Sequence, residues 1–205
     1  MKWRLPAALL VIGALLVFMG GKGILTFFMP AQDLYQDCDW TKLKNGQRVV
    51  ANVDFVFDTF KIVTNEEGRD VSAVYAMPDL VADNDGVRIS HFMGILVTAN
   101  DFSTYNRILD ASWKWWEDET ETVEWAEGGT VYFDGYLRKM DKQEKEFLKR
   151  YLGELGFDEN QKEAMIIPYV MMESEPPLIN LGMFGGGIVS LVTGVLIGIF
   201  FFRRR

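Results

Sequence analysis

The residues best equipped for chemistry in this chain are carboxylates, and their densest run is Glu117, Asp118, Glu119 and Glu121, continued by Glu124 and Glu127. Such a run can hold a divalent cation or a basic partner, and it is also what a solvated helix end looks like. Beside it stand Trp113, Trp115 and Trp116, with Trp125 just beyond the acids. Three tryptophans within four positions cannot share one buried helical stripe. Trp115 is expected to reach the surface, where its amphipathic ring suits a lipid headgroup, a sugar or a protein. Trp115, Glu117, Asp118, Glu119 and Glu121 are therefore the candidate partner surface.

The rest of the chemical inventory is thin. The single histidine, His91, lies between Ser90 and Phe92 in a predicted strand. Neighbours on a strand point to opposite faces, so Ser90 is not expected to partner His91. Asp79, Asp83 and Asp85 before Gly86 resemble part of a calcium loop, but Val81 stands at the first ligand position and Phe92 at the last, which leaves a hairpin turn. One cysteine, Cys38, lies far from His91 and suggests no zinc set. Neither a phosphate-cradling loop nor a dinucleotide fingerprint is present, and Gly185-Gly186-Gly187 falls in an apolar helix. No catalytic residue, metal or cofactor is assigned.

The elements that carry these residues follow from how charge is distributed. Residues 1–29 and 178–205 contain no Asp or Glu, whereas 30–177 hold all 29 acids against 15 basic residues, a net of −14. So acidic a segment repels phosphate, which argues against nucleic-acid binding. Leu5 to Gly21 is uninterrupted apolar or small sequence with Lys22 beyond it, and Leu178 to Phe202 is uncharged and ends in Arg203-Arg204-Arg205. Each is long enough to span a bilayer as a helix. A cleaved signal peptide is the competing reading of the first, but no convincing small-x-small cleavage site follows Phe18. Lys2/Arg4 and the Arg triplet place both ends on the cytoplasmic side, so the helices run antiparallel and the acidic segment lies outside.

In the second helix Gly182, Gly186, Ser190, Gly194 and Gly198 recur every four residues. They read as one small-residue groove for helix packing, against the first helix through Gly13 and Gly20 or against a second copy.

Between the helices the pattern predicts an α+β domain of mainly antiparallel strands with two or three helices. Residues 49–58 alternate as a strand, followed by strands over 70–77 and 87–98 to give a three-stranded meander. A helix begins at Asp101 or Ser103 with Leu109, Trp113 and Trp116 on one side. Strands over 122–127 and 130–138 flank a Gly128-Gly129 hairpin. Asp141 with Glu144 opens a helix whose buried stripe is Phe147, Leu148, Tyr151, Leu152 and Leu155, and Gly156 ends it. Residues 164–172 contain Pro168 and read as an edge strand.

The chain thus divides into an N-terminal transmembrane helix (1–29), an acidic extracytoplasmic domain (30–177) and a C-terminal transmembrane helix (178–205). The expected function is non-enzymatic: a two-pass membrane protein whose outer domain binds a partner as scaffold, accessory subunit or sensor. The bilayer is its first partner, and a protein or a second copy the next. A carboxylate-dependent hydrolase of cell-surface glycan and a structural membrane-packing protein are the alternatives.

Overall fold

The computed structural model describes residues 4–36, 38–83, 86–118, 125–174 and 177–203. In chain order its elements are α1 (Arg4–Phe28), β1 (Gln32–Asp33), β2 (Arg48–Val53), β3 (Thr59–Thr64), β4 (Asp70–Asp83), β5 (Gly86–Thr98), α2 (Phe102–Trp116), β6 (Val131–Lys139), α3 (Lys142–Glu154), α4 (Glu159–Met165), β7 (Ile166–Glu173) and α5 (Pro177–Arg203). They form two compact units, one of Met1–Pro30 with Ser174–Arg205 and one of Ala31–Glu173.

The first unit is a helical hairpin. Both helices are long and apolar enough to cross a membrane, with mean hydropathy 1.9 over Arg4–Gly21 and 2.1 over Leu178–Phe200. Gly20 lies against Asn180 and Phe184, Gly13 against Gly187 and Leu191, and Gly194 against Leu10 and Pro6, an order that runs in opposite senses along the two helices. Gly13 and Gly187 set the spacing. A Cβ on Gly187 would sit 2.7 Å from the Val17 nitrogen and 2.9 Å from the Gly13 oxygen, so only bare backbone fits there. Ser190 Oγ donates to the Leu9 carbonyl at 2.9 Å, which adds a polar tie across the pair.

The second unit is an α+β domain built on a seven-stranded mixed sheet in the order β1-β2-β6-β7-β5-β4-β3. The β1–β2 and β5–β7 pairings are parallel and the others antiparallel, which corrects the expectation of a mainly antiparallel sheet. The parallel β5–β7 pair arises because α2, β6, α3 and α4 intervene and return the chain in the same direction. Side-chain alternation along β4 feeds two cores. Ala73, Tyr75 and Met77 pack with Tyr105 and Ile108 of α2, while Val74 and Ala76 pack with Leu148, Tyr151 and Leu152 of α3.

Several elements depart from their predicted roles for identifiable reasons. The alternation over 49–58 is not one strand of the meander. Residues 48–53 pair with β6, and Phe55, Val56 and Phe57 then leave that ladder, with Val56 N donating to Ser112 Oγ and Phe57 N to the Ala76 carbonyl. The meander is β3-β4-β5 instead. Pro168 sits in β7, which is interior between β6 and β5. It is tolerated because its carbonyl accepts from Met140 N at 2.9 Å just beyond Lys139, the last residue of β6, so the missing N–H falls where the β6 ladder ends.

The buried stripe of α2 is Tyr105, Ile108 and Ser112, while Trp116 is 38% exposed. Gly128-Gly129 is not a strand-to-strand hairpin, since 125–128 form turns and 122–124 lie outside the described residues. A Cβ on Gly128 would meet the Arg107 carbonyl and Ile108 Cα at 2.7 Å, so its glycine allows this segment to lie on α2, where Arg107 Nε donates to the Gly128 carbonyl at 2.8 Å. The Asp141–Glu144 capping box forms as expected, and α4 opens with a second one, Asp158 with Gln161.

Candidate functional site

A recess of small-molecule size lies at one end of the sheet. Asp33 of β1 and Tyr35 just beyond it line one side, and Asp54 and Phe55, which follow β2, line the next. The far end of the β4–β5 hairpin supplies an apolar wall of Leu80, Ala82 and Val87, and Trp125 completes the enclosure around a cavity of about 340 Å³. That is the size of a small-molecule site.

The hairpin reaches this position with the help of a bulge. Asp79 pairs with His91 and Leu80 with Ile89, leaving Ser90 as an extra residue on β5. Such an insertion bends and twists a strand pair.

Trp125 is the most thoroughly positioned wall. Its ring stacks on Phe55 with centroids 5.2 Å apart and planes 21° apart, and it meets Trp115 edge-on at 4.7 Å. Its Nε1 donates to Asp54 Oδ2 at 3.0 Å. Ala126, the next residue, has a φ of 60°, a left-handed conformation that costs a non-glycine residue on the order of 1 kcal/mol. The turn is closed by Gly129 N donating to the Ala126 carbonyl at 2.8 Å. The indole is thus held before any ligand arrives, although 43% of Trp125 remains exposed.

Two carboxylates face this aromatic wall. Asp33 Oδ1 accepts from the Tyr35 backbone at 2.9 Å, and Asp54 Oδ2 takes the indole, so each spends one oxygen on holding the chain. No lysine or arginine lines the cavity among the described residues. Tyr35 is 41% exposed, yet the protein crowded around its hydroxyl, followed by the charges of Asp54, Asp79 and Asp33, pushes its phenol well above the usual value. It stays neutral.

The hairpin itself carries a second polar group. His91 Nδ1 lies 3.1 Å from Asp79 Oδ2 and 2.9 Å from Ser90 Oγ. The bulge overturns the expectation that Ser90 and His91 point apart, because the extra residue breaks strand alternation there. Both partners meet the same ring nitrogen. A nucleophilic relay needs serine on one nitrogen and the acid on the other, so this arrangement does not activate Ser90.

A family model described as a domain of unknown function (DUF8577) matches residues 2–203. The chain belongs to the DUF8577 family. That match takes in both apolar helices and the domain between them. No curated protein and no solved structure matches the chain.

In this DUF8577 chain the residues singled out by sequence are dispersed. Trp115 is half-buried, its ring packed edge-on to Phe55 at 5.8 Å and to Trp125, so the surface role expected of it falls to Trp125 and Trp116. The reason is non-local: residues 55 and 125 come from distant segments to cover it. Glu117 is exposed and Asp118 half-buried at the end of α2, while Glu119, Glu121 and Glu124 lie outside the described residues. Among the described residues no three His, Cys, Asp or Glu side chains converge as metal ligands would.

Of the glycine ladder, Gly194 and Ser190 face α1, whereas a Cβ on Gly182, Gly186 or Gly198 would meet nothing within 4 Å among the described residues. At 3.6 residues per turn a four-residue step advances about 40° around the axis, so five such positions wind round the helix and do not share one groove. Gly187, off the ladder, takes the central contact. Asp33, Tyr35, Asp54 and Trp125 were not legible as a site, because nothing local in the sequence brings four scattered positions together.

Proposed function

We propose that this chain is a non-enzymatic, two-pass membrane protein whose domain 31–173 captures a small ligand on the outer side of the membrane. In this reading α1 and α5 are antiparallel transmembrane helices with both termini cytoplasmic. Lys2, Arg4 and the terminal Arg triplet support that orientation, as does the confinement of every acidic residue to the intervening segment. The observation that carries the binding reading is the preformed recess of Trp125, Asp54, Tyr35 and Asp33. A serine relay gains no support from the Ser90–His91–Asp79 group, whose members share one imidazole nitrogen, and the carboxylate-dependent glycan hydrolase stands as the second reading, which the turnover test below addresses.

Two measurements on the full chain test this. Cys38 is a poor reporter of sidedness because it is half-buried and its thiol is pushed up by burial, then by the charges of Asp39, Asp79 and Asp33. A Cys38→Ser, Glu66→Cys variant moves the thiol to an exposed turn. It should react with an impermeant maleimide in intact cells. Reaction only after permeabilisation overturns the orientation. For binding, thermal unfolding in maltoside micelles against a panel of small cations, anions, sugars and amino acids should show stabilisation by at least one class, absent from the Asp54→Asn, Trp125→Ala double variant. A panel without any hit, or turnover of a cell-wall glycan, overturns the binding reading.

A further inference from the structure

We propose that the recess at Trp125 is a site for the alkylammonium group of a small organic cation. This deepens the binding reading above and rests on it. Three features of the recess point to positive charge. Two carboxylates, Asp33 and Asp54, line one cavity, and no basic side chain lines it among the described residues. Both carboxylates can accept charge-assisted hydrogen bonds from a cation, which are stronger than neutral ones. A neutral sugar would also stack on tryptophan but would gain no such bond, and an anion would be repelled by the acids.

The second feature is the aromatic surface. Trp125 and Tyr35 both line the cavity. A cation over the face of an aromatic ring is attracted by the ring quadrupole, most strongly for tryptophan, and paired rings of this kind hold quaternary ammonium groups. Phe55, itself a lining residue, stacks on one face of Trp125 and Trp115 abuts the ring edge-on, so the indole is held in place.

The third feature is the distribution of polarity. Leu80, Ala82 and Val87 face the acids across the cavity. An alkylammonium ion has the matching character, with a charged head for the carboxylates and methyl or methylene groups for the apolar wall. A hydrated metal ion gains nothing from that wall, and the described residues offer no set of three ligands for one.

The amine can come from solution or from a lipid headgroup, and the test separates the two. Full-chain protein carrying ¹⁵N-labelled tryptophan, in phosphatidylglycerol nanodiscs, is titrated with choline and with its uncharged isostere 3,3-dimethylbutan-1-ol, and with methyl glucoside. Choline should shift the Trp125 indole resonance saturably, with the isostere and the glucoside at least about tenfold weaker. Asp54→Asn keeps an acceptor for the indole and removes only charge, so it should weaken choline about tenfold while leaving the melting temperature unchanged. Asp33→Asn should act likewise.

A resonance already shifted in phosphatidylcholine discs identifies the lipid headgroup as the source. Identical starting spectra in the two kinds of disc identify a free amine. Equal affinity for the isostere, or tighter binding of the glucoside, overturns the cation assignment and leaves the binding reading standing. No shift with any probe, in a protein that the panel above shows to bind another class, overturns it as well.

Discussion

Trp125 Nε1 donates to Asp54 Oδ2 at 3.0 Å, across 71 positions of sequence. That bond ties the end of β2 to the segment preceding β6 and so fixes the aromatic wall of the recess. Because Trp125 is partly exposed, the indole can find water when its partner is removed, and the loss is one ordinary hydrogen bond. Asp54→Ala should therefore cost about 1 kcal/mol in urea unfolding and red-shift the tryptophan emission. An unchanged emission maximum would mean that Phe55 and Trp115 hold the ring unaided.

A sharper effect is expected at Glu144, which is nearly inaccessible in the domain core. Arg138 donates to it through Nη1 at 2.9 Å and Nη2 at 2.8 Å, Lys61 Nζ donates at 3.0 Å, and the Asp141 backbone donates at 2.9 Å. Burial alone would raise the carboxyl, but the hydrogen bonds from Arg138, Asp141 and Lys61 and the Arg138 charge together bring it down to about 2. The folded value is thus below the 4.5 of an unperturbed glutamate. The group's contribution to stability is complete above that value and is lost as pH falls from there towards 2. Glu144→Gln should cost about 3 kcal/mol or more at pH 7, because Arg138 loses its bidentate carboxylate and Lys61 is left with Asp141 alone. It should also flatten the acid limb of a stability-against-pH curve between pH 5 and 2. An acid limb identical to the wild type would remove Glu144 from that role.

What could be read from sequence divides along the same line as these two examples. The Asp141–Glu144 box is legible because its partners are three residues apart, and Asp158 with Gln161 has the same form, so α4 was readable by the same rule. The apolar helices are legible because length and charge exclusion are properties of a single segment. The pairing of β2 with β6, the interior position of Pro168 and the Ser90 bulge depend on which distant strand lies alongside. The recess goes further, since Asp33, Asp54 and Trp125 acquire meaning only when the tip of the β4–β5 hairpin arrives beside them. Of the acid run after Trp116, conspicuous in sequence, the described members Glu117, Asp118 and Glu127 contribute none of the lining of that recess.

Ser90 offers a test of the non-enzymatic reading at a residue that superficially resembles a nucleophile. Ser90 Oγ and Asp79 Oδ2 both contact His91 Nδ1, so the imidazole cannot take a proton from serine on one nitrogen while the acid orients it through the other. A fluorophosphonate probe should leave the folded protein unlabelled across pH 6 to 9, as judged by intact mass. Labelling that disappears in Ser90→Ala would show that the three groups rearrange into a working relay, and would overturn the non-enzymatic reading.

The helical hairpin gives the last expectation, in which neighbouring glycines behave in opposite ways. A Cβ on Gly187 would lie within 2.9 Å of backbone atoms of Val17 and Gly13, and backbone cannot rotate aside as a side chain can. On Gly186, one position earlier, it would meet nothing within 4 Å among the described residues. Gly187→Leu should therefore force α1 and α5 apart, at a cost of about 1 to 3 kcal/mol or more. Gly186→Leu should leave the pair intact. With Cys38→Ser as background and cysteines at Leu9 and Ser190, a short bis-thiol cross-linker should join the helices in the parent and in Gly186→Leu, but poorly in Gly187→Leu. Equal cross-linking in both leucine variants would show that the Gly13–Gly187 approach does not set the helix spacing. Loss in Gly186→Leu alone would move the packing face back to the four-residue ladder.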